Sequence, residues 1–479
     1  MALTDIDNSY LAMLKEYWLE EGVQNLVARN SRVLPKFDVL RVVGKEQCIA
    51  VSSEFGGAIS GDYTKALANV AQQGEVQAFH YTPGKLFSLY KVSPDEYAVS
   101  KNYDGATMKI EGVKHAKSVD RVRKVLSGTG LYGRGYGELC VINDTTALST
   151  SADTTYTIPF NAYMQISNGM SLAFKATVDG AEAATMTVTS KVAYSGGATA
   201  QITVRGDAAY TPAATDILAF AGATVLQNGN QVPRFPVGLA GAFPTVANRT
   251  GATWTTFIGN SYYGVNRSKD VNGLCGAYVN DKANNVAKKV TLKKALRIAD
   301  AMGSKANLIV LNDIDWEELS TEIEAQNLYY SNVKDGRGKR DAGIGLSNID
   351  VNFYTSLVER VVPDPFCPKG TFYVLDTDTI KFLSFYNTEF VKNDKSAAEE
   401  PGKVMNLNET EGAEKNSVDD PFQALIDDYL SSEPAHDMDG VATVISMRIR
   451  GTFAALNPSV NVVGHFYATA GDNDIGDAL

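Results

Sequence analysis

Leu131-Tyr132-Gly133-Arg134-Gly135-Tyr136-Gly137-Glu138-Leu139 places three glycines in nine residues, and its reading decides the fold. With Gly128 and Gly130 upstream it also contains Gly128-x-Gly130-x-x-Gly133. That is the spacing of a dinucleotide fingerprint, whose glycines let a backbone approach a pyrophosphate at a helix N-terminus. The context does not suit that chemistry. These glycines follow a predicted helix where the fingerprint needs a strand, and they open no helix. The run reads instead as a helix C-cap at Gly128 followed by a tight turn into the next sheet.

Upstream, residues 101–127 read as one helix. Met108, Ile110, Val113, Val119, Val122, Val125 and Leu126 supply the apolar set. Lys101, Lys109, Lys114, Lys117, Arg121, Arg123 and Lys124 stand against Asp104, Glu111 and Asp120. The helix would be about 40 Å long, suited to a spine. Its positive face reads either as a weak nucleic-acid contact or as an ordinary solvated face. Before it, 36–43 and 76–92 read as the two strands of a long arm, with a polar stretch at 44–74 between them. A first helix is expected over 8–29, ended by Pro35.

Downstream, composition changes at Asn143. Residues 143–232 hold six acids, three basic residues and 15 threonines, and they alternate apolar and polar with period two. They predict an inserted β-sandwich or barrel. Beyond it, Leu292, Leu296, Ala299 and Met302 line a helix, and Asn312 caps a second through Trp316, Leu319 and Ile323. Strands are expected near 351–353, 357–362, 372–375, 441–449 and 460–466. The fold class is therefore α+β.

The chain of 479 residues carries a net charge of -11, which argues at first against a partner bound through its phosphates. Residues 394–439 change that reading, because 13 acids and three lysines there carry a net -10. The acidity belongs to one expected loop, and the rest is nearly neutral. Four widely spaced cysteines, Cys48, Cys140, Cys275 and Cys367, form no CxxC pair and read as buried small hydrophobes. No signal peptide or membrane span is legible, so a cytosolic place of assembly is expected. The four histidines lack HExxH spacing, and GxSxG and GxxxxGK[ST] are absent. No catalytic residue, metal or cofactor is assigned. Lys334-Asp-Gly-Arg337-Gly-Lys339-Arg340 reads as a nucleic-acid patch or as a basic turn at an assembly interface.

In this order, the motifs resemble those of tailed-bacteriophage major capsid proteins with the Hong Kong 97-type fold. The spine helix running into 131–139 is similar to that family's glycine turn. Tyr263-Gly264-Val265-Asn266-Arg267-Ser268-Lys269-Asp270-Val271 resembles a second family motif, and Val361-Val362-Pro363-Asp364-Pro365 with Tyr373-Val374-Leu375 a third. The resemblance covers roughly 36–142 and 233–470. Setting aside the 90-residue insertion and the 46-residue acidic stretch leaves 343 of the 479 residues, an ordinary body for this fold.

The resemblance implies an N-terminal arm (1–35), an E-loop with flanking strands (36–92), and a spine helix and P-domain (93–142). The insertion (143–232), an A-domain with adjoining strands (233–393), the acidic loop (394–439) and closing strands (440–479) follow. It implies pentamers and hexamers in an icosahedral shell around double-stranded DNA, with scaffolding, portal and decoration proteins as partners. Lys109, Lys114, Lys117, Arg121, Arg123 and Lys124 would face the DNA. Lys45, Phe55, Lys65, Lys85, Arg337, Lys339 and Arg340 would meet neighbouring subunits. A nanocompartment shell of the same fold is the alternative, and a nucleotide-dependent oxidoreductase a remote one. A carbohydrate-binding or decoration role explains only the Thr-rich segment.

Overall fold

A computed structural model describes residues 32–52, 60–68, 76–92, 110–192, 196–227, 230–244, 261–327, 360–386, 433–436 and 443–468. The N-terminal helix expected over 8–29 lies outside these residues. Three sheets organise the rest.

The peripheral sheet runs in the order Asp38–Val43, Ile380–Tyr386, Thr443–Ala455, Glu433–His436, and Gly84–Val92 also pairs with Thr443–Ala455. Asp38–Val43 lies parallel to Ile380–Tyr386. This corrects the expected arm, whose first strand was placed at 36–43. The ribbon is instead Gln47–Ser52 paired with Val76–Tyr81, and the short helix Tyr63–Ala68 lies between them in sequence. The extended run expected at 76–92 breaks at Thr82-Pro83, since proline cannot donate to a ladder. The acidic stretch is also shorter as a loop than expected, because Glu433–His436 is a strand of this sheet.

The second sheet orders Ala277–Asn280, Val462–His465, Thr371–Leu375, Leu308–Leu311 and Arg360–Pro363. Its three central strands are buried throughout because both faces are covered, and Thr371 and His465 are their polar members. Leu292, Ala295, Leu296 and Ala299 of the helix Lys288–Ala301 share one core cluster with Phe372, Val374 and Val462. The helix Asp313–Asn327 starts where expected, and Asn312 Oδ1 accepts the Ile314 N–H at 2.9 Å. The expected strand at 351–353 lies outside the described residues.

The third sheet has six antiparallel strands, ordered Glu138–Val141, Ile217–Phe220, Ser171–Lys175, Glu182–Lys191, Thr199–Gly206 and Thr154–Pro159. Among the described residues the 143–232 stretch is thus one open sheet with a hairpin and the helix Phe160–Gln165, where a sandwich or barrel was expected. A second covering sheet is unnecessary because body and insertion share one core. Tyr156, Phe174 and Ile202 belong to the same cluster as Leu126, Leu131 and Phe382.

The 143–232 stretch meets the rest of the chain at the end of the long helix. Ile110–Val125 is α-helical, but no cap forms at Gly128: Leu126–Gly130 continues as a π-turn, and helical structure persists through Tyr132. A π-turn frees a backbone donor. Here Gln165 supplies the acceptor, its Oε1 taking the Thr129 N–H and the Thr129 hydroxyl, each at 2.7 Å. A Cβ at residue 128 would lie 2.0 Å from the Gln165 side chain, so glycine is what lets that amide in. Gln165→Leu strands the buried Thr129 N–H, while the Thr129 hydroxyl keeps the Glu138 carbonyl as an acceptor at 3.3 Å, and should cost about 1–3 kcal/mol. Urea unfolding of the purified chain measures this as a lower midpoint with an unchanged slope.

Among the described residues no helix is long and apolar enough to cross a membrane.

Candidate functional site

The glycine turn is a structural hub. Gly128 to Cys140 are all buried. Glu138 Oε1 accepts the Arg134 N–H at 2.5 Å and Oε2 the Tyr136 N–H at 3.1 Å, so one carboxylate closes the turn. Lys175 of the insertion donates to the Tyr136 carbonyl at 3.2 Å. A pyrophosphate has no approach here, since Gln165 fills the space beside Gly128 and the backbone groups are paired internally.

The second motif folds as the hairpin Ser261–Tyr262 with Val265–Asn266, then a short turn and the helix Val271–Cys275 capped by Asp270. Arg267 is fully buried. It donates to the Gly241 and Ala242 carbonyls at 3.0 and 3.1 Å and stacks 4.2 Å from the Tyr262 ring centre. Tyr262 and Tyr263 also receive the root of the ribbon. Phe79 meets Tyr262 at 5.8 Å and Tyr81 meets Tyr263 at 4.7 Å between ring centres, while the Tyr81 hydroxyl donates to the Ala455 carbonyl.

In the third motif, Asp364 is buried and accepts from the Tyr132 hydroxyl at 2.7 Å and the Phe366 N–H at 3.1 Å. Burial pushes its carboxyl up to about 6. An unfolded aspartate titrates near about 3.9. Between these values the folded chain holds a proton that the unfolded chain has lost, so this group's contribution to stability falls as pH rises from about 4 to about 6. Asp364→Asn should flatten that part of the pH–stability curve, measured by urea midpoints across the range.

The basic face is more enclosed than its sequence suggested. Lys117 is exposed, while Arg121, Arg123 and Lys124 are half-buried. Lys124 pairs with Asp120 at 2.6 Å, one turn earlier. Burial, with the charge of Lys124, pushes Lys191 of the insertion down to about 8, and its ammonium donates to the Tyr163 and Ile166 carbonyls. Lys109 and the side chain of Lys114 lie outside the described residues. The structure therefore places one exposed cation, Lys117, on this face among the residues it describes.

Of the candidate subunit contacts, Lys45, just before the ribbon, Lys65, in the short helix, and Lys85, on the peripheral sheet, are exposed. Phe55, Arg337, Lys339 and Arg340 lie outside the described residues. The more telling surface was missed: Tyr63 and Leu67 sit at i and i+4 of the arm helix and are 79% and 56% exposed. Leu40 and Phe87, on peripheral strands, are exposed too. Apolar residues one turn apart within a polar stretch are the signal that would have found the first pair. An exposed apolar pair one helical turn apart is the pattern of a surface that another protein covers.

No family model matches this sequence, and no curated protein does. Solved structures do. The capsid asymmetric unit of cyanophage A-1(L) superposes with a TM-score of 0.52 at 15% identity, covering 96% of this chain and 98% of that one. The capsid of the native GTA particle aligns with a TM-score of 0.42 at 9% identity, covering 98% and 100%. The phage G major capsid and decoration proteins align at 0.41 and 7%, covering 98% and 100%. The fold assignment rests on the cyanophage structure. The alignment spans nearly the full length of both chains, and this chain has a phage capsid-protein fold.

Proposed function

We propose that the chain is the major capsid protein of a tailed phage, with the Hong Kong 97-type arrangement of arm, E-loop, P-domain and A-domain. It assembles into pentamers and hexamers of an icosahedral head around double-stranded DNA. The end-to-end similarity to a capsid subunit carries this reading. The exposed Tyr63 and Leu67 support it, because a two-stranded ribbon has too little core to stand alone and gains stability by lying on a neighbour. The role is structural rather than catalytic, and the protein resides in the virion after assembly in the host cytoplasm. Scaffolding, portal and decoration proteins are its expected partners.

The seven segments of the sequence reading are kept in order, with the E-loop narrowed to about 47–81 and the acidic loop ending before Glu433, the 143–232 sheet on the outer surface and the 110–125 helix toward the lumen. A wall must hold DNA without gripping it, since each phosphate contact adds salt-sensitive affinity. A spine whose Lys124 is already paired to Asp120 suits that task. Isolated particles, opened and treated with nuclease, test the content: double-stranded DNA of uniform length supports the proposal. Particles filled only with a protein cargo would replace it with the nanocompartment reading.

A further inference from the structure

Cys48 was expected to be a buried hydrophobe. It is instead the one exposed cysteine of the four. It stands directly opposite His80 on the ribbon, one rung from the end nearest the body. Glu46, two residues earlier, falls on the same face by the period-two alternation of an extended chain. One sulfur, one imidazole nitrogen and one carboxylate oxygen lie within 4.8 Å of one another.

The spacing is that of ligands around a single ion. Cys48 Sγ is 3.2 Å from His80 Nδ1, and the same Nδ1 is 3.7 Å from Glu46 Oε1. With metal–sulfur bonds of about 2.3 Å and metal–nitrogen or –oxygen bonds of about 2.0–2.1 Å, tetrahedral neighbours stand roughly 3.3–3.6 Å apart. The two distances bracket that range, and the exposed side chains can make up the difference by small rotations. A mixed sulfur, nitrogen and oxygen set favours zinc-class ions over magnesium or calcium, which take oxygen shells.

We propose that Glu46, Cys48 and His80 form a zinc-class divalent cation site at the root of the ribbon, with the fourth position open to water. The Cys48 thiol releases its proton to solvent as the metal–sulfur bond forms. The ion ties the two strands together where they leave the body. His80 is fixed there already, its backbone N–H donating to the Tyr263 carbonyl at 2.9 Å. The site stands on its own geometry, whether or not the chain builds a shell.

The test is cobalt titration of the tag-free, reduced full-length chain, followed by displacement with zinc. One equivalent of cobalt should give a thiolate charge-transfer band that zinc abolishes. Because Cys140, Cys275 and Cys367 are buried, the band reports Cys48. Cys48→Ser should lose it entirely, and His80→Gln should lose stoichiometric binding while circular dichroism stays unchanged. Hydrogen exchange at 47–52 and 76–81 should slow with zinc in the parent chain only. A missing band in excess cobalt, or a band that survives Cys48→Ser, would overturn the proposal.

Discussion

Gly238→Ala should prevent the chain from accumulating in its folded form, or lower its stability by about 3 kcal/mol or more, at the upper end of overpacking effects. A Cβ at this position would lie 2.1 Å from the Leu131 carbonyl oxygen and 2.6 Å from that of Gly130. Both oxygens belong to the last turn of the spine helix, so no flexible side chain can move aside. Nor can the loop retreat. Gly238 donates its N–H to the Gly133 carbonyl at 2.9 Å, and the neighbouring Val237 carbonyl accepts from Phe453 at 3.0 Å. Since a domain is typically stable by about 5–15 kcal/mol, such a loss removes a large part of it. Gly61→Ala, with nothing within 4 Å of its added carbon, is the control and should leave the urea midpoint unchanged.

The second large effect is on assembly. Tyr63→Ser combined with Leu67→Ser should abolish shell formation while leaving the subunit folded. Both side chains are exposed in the single chain, and substitutions at such positions usually change stability by no more than about 0.5 kcal/mol. Covered by a neighbour, an apolar side chain of this size contributes about 1.5–3 kcal/mol. Losing even 1.4 kcal/mol weakens each association about tenfold, and a closed shell repeats the contact at every subunit. Sedimentation velocity at matched concentration should show free subunits or capsomers where the parent chain gives particles. Assembly by the double variant at parental concentration would exclude this helix as a docking surface.

Much of the fold was legible because local patterns agreed with tertiary ones. The period-two runs at 154–159, 182–191 and 199–206 became strands with one buried face. Leu292, Leu296 and Ala299 fell on the buried stripe of their helix, and Asn312 capped the next one. What was not legible depended on partners distant in sequence. A helix is not expected to run through Gly128 and Gly130, each costing about 1 kcal/mol against alanine. It does so because Gln165, from the insertion, accepts the donor that the π-turn releases. No periodicity reveals that Asp38–Val43 pairs with Ile380–Tyr386 and not with its neighbour in sequence.

The candidate sites were read from residue type, and there the sequence was a weaker guide. Lys45 before the ribbon, Lys65 in the short helix and Lys85 on the peripheral sheet are exposed, because lysine is rarely buried. The same reasoning overstated the spine, where Arg121, Arg123 and Lys124 are partly enclosed and Lys124 pairs with Asp120. Cysteine is among the most buried residue types, which made Cys48 look like core. Its strand belongs to a two-stranded ribbon, and the outward positions of such a ribbon have nothing to cover them.

Electron microscopy of the purified full-length chain, expressed alone and together with its scaffold, tests the shell assignment most directly. The account predicts pentameric and hexameric capsomers that close into particles with icosahedral symmetry, with the ribbon helix bearing Tyr63 and Leu67 resting on a neighbouring subunit. A chain that stays a stable monomer in both preparations, forming neither capsomers nor sheets, would contradict it.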